Sequence, residues 1–502
     1  MSAGPDGPED VPEAELLAPY PPPAQITPGF LAEAVAASGR RVAVFDDDPT
    51  GTQTVADVPV LTSWGIDDLR WALRQDSPAF YVLTNTRSLS EPEATARNRE
   101  VTAALVAASA AEGVKYAIAS RGDSTLRGHF PLETDAIEEA LGETGVAVDG
   151  VVIAPAYVEG GRMTLDSVHW LRTAGGMRRV GRSEFARDAT FGYHASDLRD
   201  YVEEKTAGRW KAADVARITL QDLRMGGLPA VGAVLGGLRG ARPVVVDAVT
   251  DDDLRVLSLG LLAAEGSGRT FLYRVGPSFV RARAGLEARP PLGPEEIEAI
   301  RARRQGPGLA AHGLVVVGSH VGQTTRQLAG LRGIGGIEEI EIDVRRVLDP
   351  ASRSAVVADA VSRATAGLDR GDVVISTSRE VVTGPDADAS LAIARSVSAA
   401  LVEVVGAVVA RRVPLWIVGK GGITASDLAT DALGIRRAWV RGTLLPGIVS
   451  LWEPVTAGVP EVEHVPYVVF AGNVGDDAAL AAAVTTLRGG HAEPVSSPGG
   501  AG

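Results

Sequence analysis

Short runs of aliphatic and β-branched residues recur along most of this chain, each ending in a polar or glycine-bearing loop and followed by helix-patterned sequence. No other feature limits the fold as strongly. A continuous apolar run belongs to a strand covered on both faces, and strands spaced by helices pair in parallel. In the first half the runs cover 41–45, 58–62, 80–84, 116–119, 151–154, 244–247 and 270–273. In the second they cover 314–318, 340–344, 373–376, 415–419, 438–440 and 467–470. Helical patterns lie between them, as at 91–111, 251–264, 324–331 and 351–366. The expectation is an α/β protein of two domains, each a mostly parallel sheet flanked by helices, with an interdomain cleft. Proline, glycine and charge cluster at 287–312, which is read as the linker between domains at 30–286 and 313–488. Stretches 1–29, Pro-rich and acidic, and 489–502 are read as disordered tails. The stretch 173–240 is rich in Gly and Arg and shows few clear strands.

Composition narrows the function. The chain has 502 residues, with 49 Lys and Arg against 63 Asp and Glu, a net charge of -14 that speaks against general nucleic-acid binding. It has no cysteine, which excludes disulfides, a thiolate nucleophile and a cysteine zinc site. The first residues lack the basic and apolar regions of a signal peptide. The Ala/Val-rich stretch 387–409 is interrupted by Arg395 and Glu403, so it is read as a core helix rather than a membrane span. The expected location is cytoplasmic.

Chemistry concentrates at the ends of the predicted strands, where α/β sheets bind ligands. The run 42–45 opens into Asp46-Asp47-Asp48-Pro49-Thr50-Gly51-Thr52-Gln53-Thr54. Three adjacent carboxylates repel one another and need a compensating cation, metal or hydrogen-bond network. Arg121-Gly122-Asp123-Ser124-Thr125-Leu126-Arg127-Gly128 follows another strand and offers two guanidinium forks beside hydroxyls. Arg87 and Arg162 lie in two further strand-end loops. Arginine matches a carboxylate bidentately, while Ser, Thr and Asp suit sugar hydroxyls. The implied ligand is a small polyhydroxy acid.

The second half uses glycine instead. Its strands end in Gly318-Ser319-His320, in Gly419-Lys420-Gly421-Gly422-Ile423-Thr424, and in Ala471-Gly472-Asn473-Val474-Gly475. Glycines let backbone amides approach phosphate oxygens, so these loops suit a nucleotide. Neither G-x-x-x-x-G-K-[ST] nor G-x-G-x-x-G is present, which disfavours a Walker-type ATPase or a dinucleotide-binding dehydrogenase. His129, His169, His194 and His320 have no metal-ligand spacing and are read as structural or surface residues.

In order, Asp47–Gly51 (D-D-P-T-G), Arg121–Gly128 (R-G-D-S-T-L-R-G), Pro155-Ala156 with Gly161–Thr164 (G-R-M-T), Gly318-Ser319, Gly421–Thr424 and Gly472–Gly475 resemble the four-carbon acid sugar kinase family, once known only as a domain of unknown function. The resemblance spans nearly everything between the tails. It implies an N-terminal domain that holds a sugar acid and a C-terminal domain that holds ATP with Mg2+. The implied reaction is phosphorylation of the acid's terminal hydroxyl. By the same resemblance Asp47 or Asp123 orients or deprotonates that hydroxyl, with Asp47 slightly favoured. Asp48, Thr50, Arg87, Arg121, Ser124, Thr125, Arg127 and Arg162 would bind the acid. Ser319, Lys420, Gly421, Gly422, Ile423, Thr424, Gly472 and Asn473 would bind the nucleotide. No dedicated metal ligands are expected. Ile423 stands where the family carries an acidic residue, and Phe470-Ala471 where it carries Lys-Ser, with Lys420 offering charge nearby. Asp46 and Thr52-Gln53-Thr54 mark a divergent branch. The expected partner is a small sugar acid, with no nucleic acid and no membrane, and a homodimer is left open. The competing readings are a non-catalytic binding protein and an ATP-independent isomerase or lyase acting on a related acid.

Overall fold

The computed structural model describes residues 10–379, 382 and 387–490. Eleven strands precede residue 276: β1 (Arg40–Asp46), β2 (Val58–Leu61), β3 (Ala79–Leu83), β4 (Lys115–Arg121), β5 (Gly150–Ala154), β6 (Arg162–Leu165), β7 (Val168–Thr173), β8 (Gly176–Arg179), β9 (Ala216–Ile218), β10 (Arg242–Val246) and β11 (Phe271–Val275). Seven more follow: β12 (Leu314–Val317), β13 (Ile337–Ile342), β14 (Asp372–Thr377), β15 (Ile417–Lys420), β16 (Arg437–Leu445), β17 (Ile448–Thr456) and β18 (Tyr467–Phe470).

The described residues divide into two compact units, one of 10–55 with Trp64–Ala288, the other of Ala56–Ser63 with 289–490. In the first unit β3-β1-β4-β11-β5-β10-β9 form a wholly parallel sheet. Strands β3 and β5 are buried at every position, as their unbroken apolar runs require, and β11 is buried throughout although it carries Arg274. Helices between them start and stop on local signals. Helix Glu91–Glu112 opens with a Ser90–Glu93 capping box and ends at Gly113, whose φ of 66° only glycine adopts cheaply. A second capping box, Thr250–Asp253, opens helix Asp251–Gly266. Strands β6, β7 and β8 form a separate antiparallel sheet over 162–179, at the start of the Gly/Arg-rich stretch.

In the second unit the order is β13-β14-β12-β15-β18-β17-β16-β2. It is parallel from β13 to β18 and antiparallel beyond. The run 58–62, assigned from the sequence to the first domain, thus pairs with β16 in the second. Nor is 287–312 only a connection. Helix Pro294–Arg301 buries Ile297 and Ile300 in the second unit's core, beside Trp416, Leu451 and Phe470. The stretch 10–27 likewise departs from the expected tail, because charge and backbone pairing anchor it. Asp10 pairs with Arg178, Glu13 with Arg172, and Val11 forms a bridge to Met177. The C-terminal stretch 491–502 lies outside the described residues. Within helix Ala387–Val409 a window of 18 residues, Ala392–Val409, is long and apolar enough to cross a membrane. Val397, Leu401, Val404, Val405 and Val408 are buried on the side that meets the neighbouring helices.

Candidate functional site

Strands β1, β3, β4, β5 and β11 run parallel and release their C-terminal ends at one sheet edge. Asp46 closes β1, and Asp47 and Asp48 follow. The repulsion expected among them is met by arginine. Arg87, from the turn after β3, grips Asp47 twice, Nη2 to Oδ1 at 2.6 Å and Nε to Oδ2 at 3.1 Å, and reaches Asp48 Oδ2 at 3.4 Å. Arg121, the last residue of β4, donates to Asp46 Oδ1 at 3.2 Å and stands 3.5 Å from Asp47. Asp48 caps the following 3-10 turn, accepting from the Thr50 amide at 2.9 Å and the Thr50 hydroxyl at 2.5 Å.

These environments separate the carboxyls. Burial pushes Asp46 up to about 7 against the pull of Arg121. Burial also raises Asp47, with Arg87 pulling the other way. Burial opposes the charge on Asp48, but Arg87 and Thr50 prevail and hold it low. Asp123 is held well below the usual range, because Arg87, Arg127 and the Thr125 hydroxyl outweigh its burial.

The loop after β4 wraps around Asp123, which accepts from Arg127 Nε at 2.7 Å and from the Thr125 amide at 3.2 Å and hydroxyl. Arg127 also stacks 4.9 Å from the Phe185 ring. Ser124 is buried within the loop. Three side chains from further along the chain grip the loop's carbonyls. His169 Nε2 donates to Ser124 at 2.8 Å, Tyr193 to Thr125 at 2.6 Å and Tyr201 to Leu126 at 2.9 Å. Burial lowers His169 to about 4, so the ring is neutral and Nδ1 accepts from the Thr164 hydroxyl at 2.9 Å.

Arg162 differs from the other three arginines. Among the described residues it forms no ion pair with a carboxylate. It donates to the Gly160 carbonyl, stacks 5.9 Å from Tyr157, and its Nε is buried without a partner. Burial depresses its pKa, and the charges of Asp123 and Arg127 are near enough to act on it. A half-buried guanidinium without a counter-ion is suited to an incoming carboxylate.

In the second unit, Gly318, Gly421 and Gly472 pack too closely for a side chain. A Cβ at Gly318 would fall 2.2 Å from Thr424 Oγ1, and one at Gly472 would fall 2.7 Å from Ser319 Oγ. At Gly421 it would fall 3.1 Å from Thr424 Oγ1, at a φ of 121°. Thr324 donates to the Gly472 carbonyl at 2.9 Å. Arg379 donates Nη2 to the Ser319 carbonyl at 2.7 Å, while its Nη1 and His320 Nδ1 are buried without partners. Backbone-lined loops with unspent donors suit phosphate oxygens. Lys420 is fully buried and its ammonium is already engaged, donating to the Ala471 and Gly472 carbonyls at 2.7 and 3.2 Å. It therefore braces the loop rather than presenting charge at its surface. Gly422 opens helix Gly422–Asp427, and Ile423 and Asn473 are exposed. No cluster of three or more metal-ligating side chains occurs among the described residues.

A profile for a sugar-binding N-terminal domain matches residues 42–283, and one for a nucleotide-binding C-terminal domain matches 314–480. The chain belongs to the four-carbon acid sugar kinase family. Its fold is shared with a Salmonella typhimurium LT2 protein provisionally described as a tRNA synthase, at 18% identity and a TM-score of 0.61, covering 88% of this chain and 98% of that one. It is shared too with Haemophilus influenzae HI1011, of domain family DUF1537, at 17% identity and a TM-score of 0.58, covering 89% and 100%. No curated protein matches.

The family's two signature halves thus fall on the two loop sets. Asp46, Asp47, Asp48, Arg87 and Arg121 form one ion-pair network, and Asp123 pairs with Arg127 beside it, within reach of the Arg87 charge. Sequence reasoning passed over Glu133, Arg274, Tyr193, Tyr201 and Arg379, and read His169 only as structural. Arg274 did leave a signal, a charged residue inside the apolar run of β11, where burial demands a partner.

Proposed function

We propose that this family member is an ATP-dependent kinase that phosphorylates the terminal hydroxyl of a short, four-carbon sugar acid. The observation that carries the reading is Arg162, a half-buried cation whose buried Nε has no partner and which pairs with no carboxylate among the described residues, charge-coupled to Asp123 and Arg127 in a sugar-binding domain. The acid's carboxylate would neutralise Arg162, with Arg127 and Arg121 beside it. Its hydroxyls would meet Asp48, Thr50, Ser124 and Thr125. Asp47, raised by burial and gripped by Arg87, would orient the attacking hydroxyl and take its proton, and Asp123 is the second candidate.

Phosphoryl transfer depends on positioning and charge stabilisation more than on covalent help. Ser319, Thr424, Arg379 and the amides around Gly421, Gly422 and Gly472 would hold the triphosphate. ATP supplies the γ-phosphoryl group, and Mg2+ would arrive on its phosphates. The reading carries with it a cytoplasmic enzyme whose partners are metabolites rather than nucleic acid or membrane.

The test is a screen of tetronic and pentonic acids with ATP and Mg2+, read as ADP release. In a responsive assay Arg162→Ala should raise the KM for the acid about a hundredfold, the loss typical of a charge-assisted contact, with ATP affinity nearly unchanged. Arg127→Ala should act in the same direction. Acid binding without ADP release would favour a non-catalytic binding protein, and product without ATP an isomerase or lyase.

A further inference from the structure

Beneath the acidic turn lies a second, buried ion pair that the reaction itself does not call for. Glu133 lies in the first turn of helix Leu132–Gly142, which follows the Arg121–Gly128 loop, and is 2% exposed. Arg274 lies on β11 directly opposite Ser120 of β4. Its Nη1 donates to the Glu133 carboxylate and, at 2.9 Å, to Ser120 Oγ. The other Glu133 oxygen accepts from the Thr86 hydroxyl, one residue before Arg87.

The loop is shaped around this guanidinium. A Cβ at Gly122 would fall 2.6 Å from Arg274 Cζ. One at Gly128 would fall 2.9 Å from Arg274 Nη2 and 3.0 Å from Asp47 Oδ2. Both ends of the loop that carries Asp123 and Arg127 thus rest on Arg274, and the second contact also borders the Asp47 carboxylate. The Gly122 amide donates to the Val275 carbonyl at 3.1 Å, fixing the loop's start to the same strand. Gly128 has a φ of 122°, a conformation that a side chain would strain even if Arg274 moved.

We infer that Arg274 is a positioning residue, which with Glu133 sets the Arg121–Gly128 loop and the Arg87 turn in register so that Asp47, Asp123 and Arg127 converge on the acid. The inference deepens the proposed function and rests on it for the identity of the ligand. The geometric part does not depend on the ligand.

Two measurements separate the two parts. Hydrogen exchange on the full chain without ligand should show the 120–130 and 84–88 amides exchanging about tenfold faster in Arg274→Met, a local opening of roughly 1.4 kcal/mol. Amides of β5 and β10 should be unchanged. Unchanged exchange at 120–130 would overturn the inference. Steady-state kinetics with threonate and erythronate should then show kcat/KM for the acid lowered about a hundredfold, as displacement of reacting groups by about an ångström produces, with the KM for ATP unaltered. A comparable rise in the KM for ATP would mean general loosening and would also overturn it. Arg274→Lys keeps a cation on Glu133 and should recover part of the loss, and it serves if the methionine variant does not fold. A wild-type chain that releases no ADP with any acid would instead remove the kinase reading, leaving the exchange result to decide Arg274.

Discussion

Asp46 is a carboxyl whose own surroundings disagree about its charge. It is 1% exposed, its Oδ1 receives Arg121, and its other oxygen lies where a Cβ on Gly51 would fall, 2.1 Å away. Burial wins and raises it to about 7. The sign for stability follows. A carboxyl raised above its free value of about 4 holds its proton longer in the folded chain, so its favourable contribution is present in acid and is lost as pH rises through about 7. Asp46→Asn removes that dependence. The midpoint of thermal unfolding of the variant minus that of wild type should climb between pH 5 and 8, and a flat difference would show that Asp46 titrates elsewhere. Asp48 and Asp123, held low by arginine, contribute in the opposite sense and are unchanged by this comparison.

At the scale of elements, the pairing of β15 with β18 sets Lys420 opposite Phe470. The ammonium sits 3.9 Å from the ring centroid and caps two carbonyls of the next loop. A buried carbonyl left without its donor costs about 1–3 kcal/mol. Lys420→Met should therefore weaken nucleotide binding by about tenfold, near the low end of that range. Acid binding should stay intact, with calorimetry on each ligand as the check.

The same elements show what the sequence could and could not disclose. The parallel strands were legible because a strand buried on both faces must be continuously apolar, and their terminal loops because charge and glycine there have few other uses. Strands β6, β7 and β8 were not. They are short and carry Arg162, Arg172, Arg178 and Arg179, so no apolar run marks them. Lys420 was legible as a cation beside glycines, but only the register of two strands shows that its charge is turned inward. The arginines were found as candidates, yet which of them lacks a counter-ion depends on contacts across four loops.

For the molecule as a whole, β2 decides how the chain can be divided. Val58, Val60 and Leu61 are almost fully buried, and β2 pairs with β16 of the second unit. Each such side chain contributes about 1.5–3 kcal/mol by leaving water. A fragment ending at Ala288 would leave them on a strand stripped of its β16 partner, an open edge that is a recognised aggregation hazard. It should be insoluble when expressed alone and be recovered when 289–490 is co-expressed. Solubility of the first fragment alone, with native hydrogen exchange at β1 and β4, would refute this.

Because Ala56–Ser63 belongs to the second unit, a recombination point in the 287–312 connection would carry the wrong strand with it. Grafting a relative's nucleotide-binding half onto this acid-binding half therefore takes three crossovers in the gene rather than one. A hybrid made within 287–312 alone would leave the donor's sheet edged by a strand it did not evolve with.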